Sequence, residues 1–156
     1  MRIGALMALL FLSLAPVLAV DVDKCMEITQ PGYYRLVNDI SGVLSGQNYC
    51  IGIFANDVVL DGQGYSLTGT GSEKGIFVQA NNVTIKNVVV SGYNYGIYLE
   101  NSRNNTIVNN IISNNKYMGI FLRWSSNNVI ANNSISNNDR GIYIESLSII
   151  FISLIF

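Results

Sequence analysis

Six acidic residues lie in the central part of the sequence, where carboxylates are the side chains best suited to catalysis. They are Asp57, Asp61, Glu73, Glu100, Asp139 and Glu145. A glycosidase needs two carboxylates about 5 to 9.5 Å apart. Asp57 and Asp61 flank a predicted strand, and four residues of strand span roughly 13 Å, which is too far for a catalytic pair. The stretch "LDGQG" is more typical of a turn.

Charged residues recur at one position of a repeating pattern. Glu100, Arg123 and Glu145 each follow a glycine by four residues, and Gln79 precedes them at the same position. The order acid, base, acid in successive copies predicts a ladder of ion pairs, each worth about 0.2 to 1 kcal/mol when exposed. The alternative interpretation is a functional site. We favour the ladder and predict no catalytic residue.

An aromatic residue follows the same glycines by two positions. In a strand these side chains alternate with inward ones and point outward, one above the next. Such rings support one another by about 0.5 to 1.5 kcal/mol per pair. Alternatively they form a platform for sugar rings, edged by Trp124, Tyr95 and Tyr117. The predicted ligand is a polysaccharide or a cell-envelope glycan, and the predicted binding residues are Phe77, Tyr98, Phe121, Tyr143 and Trp124.

Metal-ligating residues are scarce. The chain contains no histidine, and its two cysteines are Cys25 and Cys50. In an exported chain such a pair predicts a disulfide, with a metal site or a catalytic thiol as the alternative. Copper sites use His, Cys or Met, and only Met26 and Met118 follow the apolar N-terminal segment. The sequence therefore predicts no metal site and no cofactor.

The elements that must position these residues are internal repeats. Residues 75–95, 96–118 and 119–140 are three copies, a fourth begins at 141–146, and a variant copy occupies 50–74. The period is 21 to 25 residues. Three Asn-Asn pairs of one copy superpose on those of the next without a gap, namely 104–105 on 127–128, 109–110 on 132–133 and 114–115 on 137–138.

Each copy holds short apolar runs with the alternation of strands, and a copy this short cannot bury an apolar face alone. We predict an all-β parallel β-helix of about four coils, with equivalent residues stacked at about 4.8 Å. Ile76, Ile97, Ile120 and Ile142 then form consecutive rungs. Asparagine suits the corners because it tolerates the left-handed conformation. We expect Asn87, Asn109 and Asn132 to form an inward asparagine ladder.

The two ends of the chain differ from the repeats. Residues 1–19 have the layout of a secretory signal peptide, with an uncleaved membrane anchor as the alternative. Residues 20–49 are predicted to form an N-terminal cap before the repeats of 50–146. The apolar tail, 147–156, either closes the end of the β-helix or marks a truncated array with further coils in a longer parent chain. We favour truncation.

The overall composition excludes one class of partner. The length suits one domain, the net charge is -1 and only 12% of residues are charged, without a basic patch. These features do not fit a nucleic-acid-binding protein. Contact with a membrane is expected only through the signal segment. Three sequons make Asn82, Asn104 and Asn132 candidate glycosylation sites.

The coils resemble a known family. The stretch "NDVVLDGQG", followed by "NNVTIKN", "NNTIVNN" and "NNVIANN", is similar to the right-handed parallel β-helix repeats of NosD-type proteins over about residues 25 to 146. The resemblance implies a right-handed, single-stranded, pectate-lyase-like solenoid. Such repeats occur in a periplasmic protein linked to copper delivery and in archaeal cell-surface proteins. The larger fold group includes pectate lyases, polygalacturonases and carbohydrate-binding modules.

Three functional hypotheses follow from the sequence and the resemblance. The first is an exported, secreted or cell-surface, non-catalytic module that is structural or binds carbohydrate. The second is a fragment of a polysaccharide lyase or hydrolase, and the third is a NosD-like copper-handling protein. The alternating charges disfavour the second, and the donor set does not suit the third. We expect the first.

Overall fold

Three parallel sheets make up the molecule in the computed structural model, which describes residues 18–71, 73–145 and 150–153. The first sheet contains β2 (Met26–Ile28), β5 (Tyr49–Ile53), β8 (Lys74–Val78), β11 (Tyr95–Glu100), β14 (Met118–Arg123) and β17 (Arg140–Glu145). The second contains β1 (Val20–Val22), β3 (Gly32–Leu36), β6 (Val58–Asp61), β9 (Thr84–Lys86), β12 (Thr106–Val108), β15 (Asn128–Ala131) and β18 (Ile150–Ser153). The third contains β4 (Ile40–Ser41), β7 (Ser66–Thr68), β10 (Val89–Ser91), β13 (Ile111–Ser113) and β16 (Ser134–Ser136).

The chain visits the three sheets in turn, so each coil adds one strand to each sheet. Strands that neighbour each other in a sheet are parallel and come from successive coils. This arrangement confirms the predicted all-β parallel β-helix. Among the described residues, no helix has the length and apolar character of a membrane span.

The inward columns follow the predicted register. Ile76 pairs with Ile97, Ile97 with Ile120, and Ile120 with Ile142. The first three are fully buried, and Ile142 packs against the same core. Isoleucine suits these positions because a β-branched side chain packs well on a pleated, buried surface. The four consecutive rungs are therefore confirmed.

The segment predicted to be the N-terminal cap, residues 20–49, contains a coil that the repeat pattern did not show. β2, β3 and β4 place one strand in each of the three sheets, in register with the coil that follows. The described residues thus contain five coils with a strand in every sheet, where about four coils were predicted. The sequence did not reveal this coil because it lacks the glycine and asparagine positions by which the repeats were recognised.

A disulfide joins this first coil to the next. Cys25 and Cys50 are bonded, with 4.6 Å between their Cα atoms and a sequence separation of 25, which confirms the predicted pair. A cross-link closing a loop of this length stabilises a fold by about 3 kcal/mol, chiefly by restricting the unfolded chain. The first coil is therefore held to the array covalently as well as by its sheets.

Part of the apolar tail belongs to the solenoid. β18 pairs with β15 and extends the second sheet, so residues 150–153 continue the array beyond the predicted boundary at residue 146. Residues 146–149 and 154–156 lie outside the described ranges, as do residues 1–17 of the predicted signal peptide.

The asparagine ladder lies one residue after the predicted column. Asn109 and Asn132 are exposed and Asn87 is half-buried, and all three have left-handed backbones, with φ of 54 to 57°. Our prediction that they face inward is wrong. A left-handed residue changes the chain direction at the corner, so the next side chain points inward. The buried asparagines are Asn105, Asn110, Asn115, Asn128 and Asn133.

Each buried asparagine links two coils. The Asn110 Oδ1 accepts a hydrogen bond from the Val88 backbone N–H at 3.1 Å, and its Nδ2 donates to the Ile85 carbonyl at 3.1 Å. The Asn110 N–H in turn donates to Oδ1 of Asn133 at 2.9 Å. At the corners, backbone N–H and C=O groups lack the partners that a β-sheet provides. Leaving such groups buried and unpaired costs free energy. The inward asparagines supply the missing partners.

Candidate functional site

The outward face of the first sheet carries the predicted aromatic row. Phe77, Tyr98, Phe121 and Tyr143 are directly paired in successive strands. Their ring centroids are 5.5, 4.7 and 5.6 Å apart from one ring to the next. These distances are within the favourable range for aromatic pairs. The row is therefore a continuous stack.

Tyr49 extends the stack into the coil below, a contribution that the sequence comparison missed. Gly52 holds the equivalent strand position there, and the Tyr49 ring stacks on Phe77 at 5.6 Å instead. A Cβ at Gly52 would lie 2.6 Å from the Tyr49 ring, so a side chain there would have to displace that ring. A glycine at the ring position, with a tyrosine three residues earlier, could have predicted that Tyr49 supplies the ring missing at Gly52.

Most of the stack is closed to solvent. Phe77, Tyr98 and Phe121 are only 7 to 9% exposed, and Tyr143 is half-buried. Residues that pack against the stack include Leu44, Tyr95 and Met118. This burial favours mutual support over an open platform for these rings. Ligand binding by the row stays a prediction.

Lys74 reinforces the closure of the stack. Its Nζ lies 5.0 Å from the Phe77 ring centroid and 5.3 Å from that of Tyr98. Burial lowers the pKa of Lys74, with the charges of Glu73 and Glu100 acting in the opposite direction. The ammonium group thus contacts two ring faces that a ligand would otherwise reach.

A polar row runs beside the stack at the ends of the same strands. The Gln79 Nε2 donates to Glu100 at 2.9 Å. The Arg123 guanidinium is 3.4 Å from Glu100 and 3.5 Å from Glu145. These contacts confirm the predicted ion-pair ladder. Both carboxylates are committed to the same cation.

Two exposed aromatic residues flank the stack at opposite ends of β14. Tyr117 precedes the strand and is 40% exposed, whereas Trp124 follows it and is 51% exposed. The Arg123 guanidinium carbon is 4.0 Å from the Trp124 ring, a cation–π contact. These are the large, accessible aromatic surfaces of the predicted site.

The buried acid of the solenoid is Asp61, whose partners the sequence comparison did not find. It accepts hydrogen bonds from the Tyr33 hydroxyl at 2.6 Å and from Asn87 Nδ2 at 3.1 Å, and lies 3.2 Å from Lys86 Nζ. Burial alone would raise the pKa of Asp61, but these bonds and one from the Gln63 N–H lower it to about 2. The alignment of Asp61 with Lys86 one coil later could have predicted this ion pair.

A second group of carboxylates lines a surface depression of about 360 Å³ near the disulfide. Its lining includes Asp23, Lys24 and Asp39. The Asp39 carboxylate accepts bonds from the backbone and the hydroxyl of Ser66, at 2.8 and 2.9 Å, and these lower its pKa. A general acid requires a raised pKa, so Asp39 does not suit that role.

The three sequon asparagines lie at exposed corners. Asn82, Asn104 and Asn132 are exposed and have left-handed backbones. The Asn82 Nδ2 donates to Asp57 at 3.1 Å. Modification of these positions stays a prediction.

The chain matches the profile of a family described as "Periplasmic copper-binding protein (NosD)" over residues 37–153. This range extends from the first coil through β18. The chain belongs to the NosD family. Comparisons with curated proteins and with solved structures find no match. The predicted family is thereby confirmed, and its description as periplasmic agrees with the presence of a disulfide.

Copper is the ligand that the family description implies, and we compared it with the donors present. Copper prefers His, Cys or Met. This chain has no histidine, and both cysteines are bonded to each other. Met26 and Met118 lie four strands apart in the first sheet, or about 19 Å. The described ranges contain no group of three or more Cys, Asp or Glu able to hold a metal. These donors do not fit copper.

Proposed function

We propose that this NosD-family chain is an exported, non-catalytic β-solenoid module that binds polysaccharide at the cell envelope or surface. Export is supported by the disulfide, by the periplasmic description of the family and by the signal-like layout of residues 1–19. The stacked sheets and the covalent tie make the module a rigid support for surface side chains.

The observation that carries the non-catalytic assignment is the state of the carboxylates. A glycoside hydrolase requires one carboxyl with a raised pKa to protonate the leaving group. Asp61, the buried acid, has a pKa lowered to about 2. Glu100 and Glu145 share Arg123, and Asp39 is an acceptor for Ser66. These four acids are therefore engaged in structural contacts.

The polysaccharide assignment rests on the outward face of the first sheet. The stacked rings make this face stiff, and Tyr117 and Trp124 expose aromatic surface at its two sides. Aromatic side chains present large contact area and lose little conformational entropy on binding. A sugar ring has one apolar face and several hydroxyls, so it suits an aromatic surface next to polar groups.

The test uses the full chain, produced with its disulfide intact. Retention on insoluble cellulose, chitin, mannan and cross-linked polygalacturonate is measured, together with any soluble sugar released. We expect retention on at least one glycan without release. Release of reducing ends or unsaturated products would instead establish the hydrolase or lyase alternative.

A titration with copper, followed by calorimetry, tests the remaining candidate function, which is copper handling. Copper handling is suggested by the family description, although the donors of this chain do not fit it. We expect no stoichiometric binding of Cu(I) or Cu(II). Tight copper binding without retention on any glycan would overturn the proposed function.

A further inference from the structure

Trp124 occupies a backbone position that suits asparagine. Its φ is 48°, and Asn101 has a φ of 49° at the same corner one coil earlier. Bulky side chains are rare in this left-handed region, whereas asparagine tolerates it. The other non-glycine residues with positive φ in the described ranges are Asn, Asp, Gln or Glu. The tryptophan is therefore placed against the preference of the local backbone.

Burial does not compensate for this placement. A buried indole contributes strongly to a core, but Trp124 remains 51% exposed. Backbone strain of this kind tends to occur at functional sites, where the surroundings enforce it. The strain and the exposure together point to a role at the surface.

The indole has a defined support. The Arg123 guanidinium lies 4.0 Å from the ring centroid, and Glu100 and Glu145 hold that guanidinium from the coils on either side. The Arg123 carbonyl also accepts a bond from the Ser125 hydroxyl at 2.9 Å. A ring held in this way loses less freedom on binding a ligand than a free side chain does.

The polar row that continues from Arg123 through Glu100 to Gln79 offers both donors and acceptors. Glu100 receives Gln79 Nε2 at 2.9 Å and the Tyr98 hydroxyl at 3.3 Å, and each of these groups retains further hydrogen-bonding capacity. An apolar ring surface flanked by an amide, a carboxylate and a guanidinium matches the two aspects of a sugar unit, its C–H face and its hydroxyls.

The local charge selects among sugars. Glu100 and Glu145 surround the Arg123 guanidinium, so the three groups that support the indole carry a net negative charge, whereas the Lys74 ammonium lies over the rings of Phe77 and Tyr98. A uronic acid unit would add a third carboxylate and would be repelled. A sugar without a carboxylate meets no such penalty.

We propose that Trp124, supported by Arg123 and by the polar row that Arg123 forms with Glu100 and Gln79, is a binding subsite for an uncharged sugar unit. This inference rests on the proposed function and narrows it to one corner of the solenoid and to neutral glycans. The aromatic stack supports the sheet on which this corner is built.

The test exploits the fact that Trp124 is the sole tryptophan of the chain. Cellohexaose, chitohexaose and mannohexaose are titrated into the full chain while tryptophan fluorescence and its quenching by iodide are recorded. We expect one of these oligosaccharides to shift the emission and protect the indole from iodide. Trigalacturonate serves as the anionic comparison and is expected to have no effect.

Two variants locate the site. Trp124→Asn introduces the residue found at the preceding corner, so we expect it to fold normally and to lose at least tenfold in retention on the glycan that wild type binds. Tyr65→Ala removes an exposed aromatic that precedes β7 in the third sheet, away from the proposed face, and is the matched control, with unchanged retention.

The outcomes distinguish the two proposals. Wild-type retention that Trp124→Asn leaves unchanged would overturn the subsite and leave the proposed function standing. Preferential binding of trigalacturonate would overturn the neutral-sugar assignment alone. Retention of wild type on no glycan of the panel would overturn both.

Discussion

The two asparagines of each corner pair are adjacent in the chain but have opposite surroundings. Asn109 is exposed and has a left-handed backbone, with φ of 57°. Asn110 is 1% exposed, and its amide bonds groups in the coils on both sides. The first position uses the tolerance of asparagine for an unusual backbone, and the second uses an amide that donates and accepts at once. One residue type thus meets two separate requirements.

Substitutions within the molecule agree with this division. At first positions the described chain also uses Asp57 and Gly92, which share the left-handed backbone. At second positions an earlier coil has Val83, Val88 and Tyr93, each fully buried or nearly so. The backbone N–H of each donates to an asparagine of the next coil. Each asparagine ladder therefore starts one coil after a buried apolar residue at the same position.

The largest expected effect follows from removing a ladder amide. Asn110→Ala leaves the Val88 N–H and the Ile85 carbonyl buried without their present partners. Each unpaired group costs about 1 to 3 kcal/mol, so we expect a total loss of about 3 kcal/mol in the free energy of unfolding. Urea denaturation measures it, with Asn109→Gly as the adjacent control. A loss below about 1 kcal/mol would contradict the ladder.

The next largest effect on stability is expected at Asn87, a first-position asparagine whose side chain binds a partner. Asn87 donates to Asp61, whose pKa is lowered to about 2. A lowered pKa stabilises the fold above the unfolded value, near pH 4, and this contribution is lost as the pH falls towards 2. A pKa lowered from 3.8 to about 2 corresponds to about 2.5 kcal/mol of stability.

Asp61→Asn should remove this part of the pH dependence. Thermal unfolding of wild type and Asp61→Asn between pH 5 and pH 2 is the measurement. Parallel curves for the two proteins would show that the Asp61 pKa is not lowered. Asn87→Ala is expected to give an intermediate slope.

A smaller effect is expected at an ordinary first position. Asn109→Ala places a residue with little tolerance for positive φ at the corner, at a cost of about 1 kcal/mol. Asn109→Gly should be nearly neutral because glycine adopts this backbone readily. Chemical denaturation of the two variants decides the point. Equal losses in both would mean that the Asn109 side chain, and not its backbone, matters.

The smallest effect is expected where tryptophan holds a first-type position. Trp124→Asn relieves the left-handed strain but loses the contact with Arg123, worth about 0.5 to 1 kcal/mol when exposed. We expect the free energy of unfolding to change by no more than about 0.5 kcal/mol. A loss above about 2 kcal/mol, measured by urea denaturation, would make Trp124 a structural residue.

Much of the fold was predictable because a repeated sequence repeats its structure. Aligning the glycines placed Ile76, Ile97 and Ile120 in one column, and the same alignment predicted the pairs of Glu100 with Arg123 and of Arg123 with Glu145. Parallel strands stack equivalent residues at a fixed spacing, so sequence register becomes spatial register. The disulfide was predictable from composition, since only two cysteines exist.

Three features were decided by the tertiary structure. Strand alternation does not continue through a left-handed corner, so the sequence did not reveal that Asn110, rather than Asn109, faces inward. The aromatic stack is closed by side chains at other positions of its coils, such as Tyr95 and Met118, which a single column cannot show.

The surroundings of Asp61 depended on a coil that the repeat pattern did not identify. Tyr33 belongs to the first coil, where the glycine and asparagine positions are missing, and only the folded chain brings its hydroxyl to the carboxylate. The sequence determined the period, the columns and the covalent tie, because those follow from equivalent residues. Contacts between non-equivalent residues depend on how side chains pack in three dimensions, and the tertiary structure alone decided them.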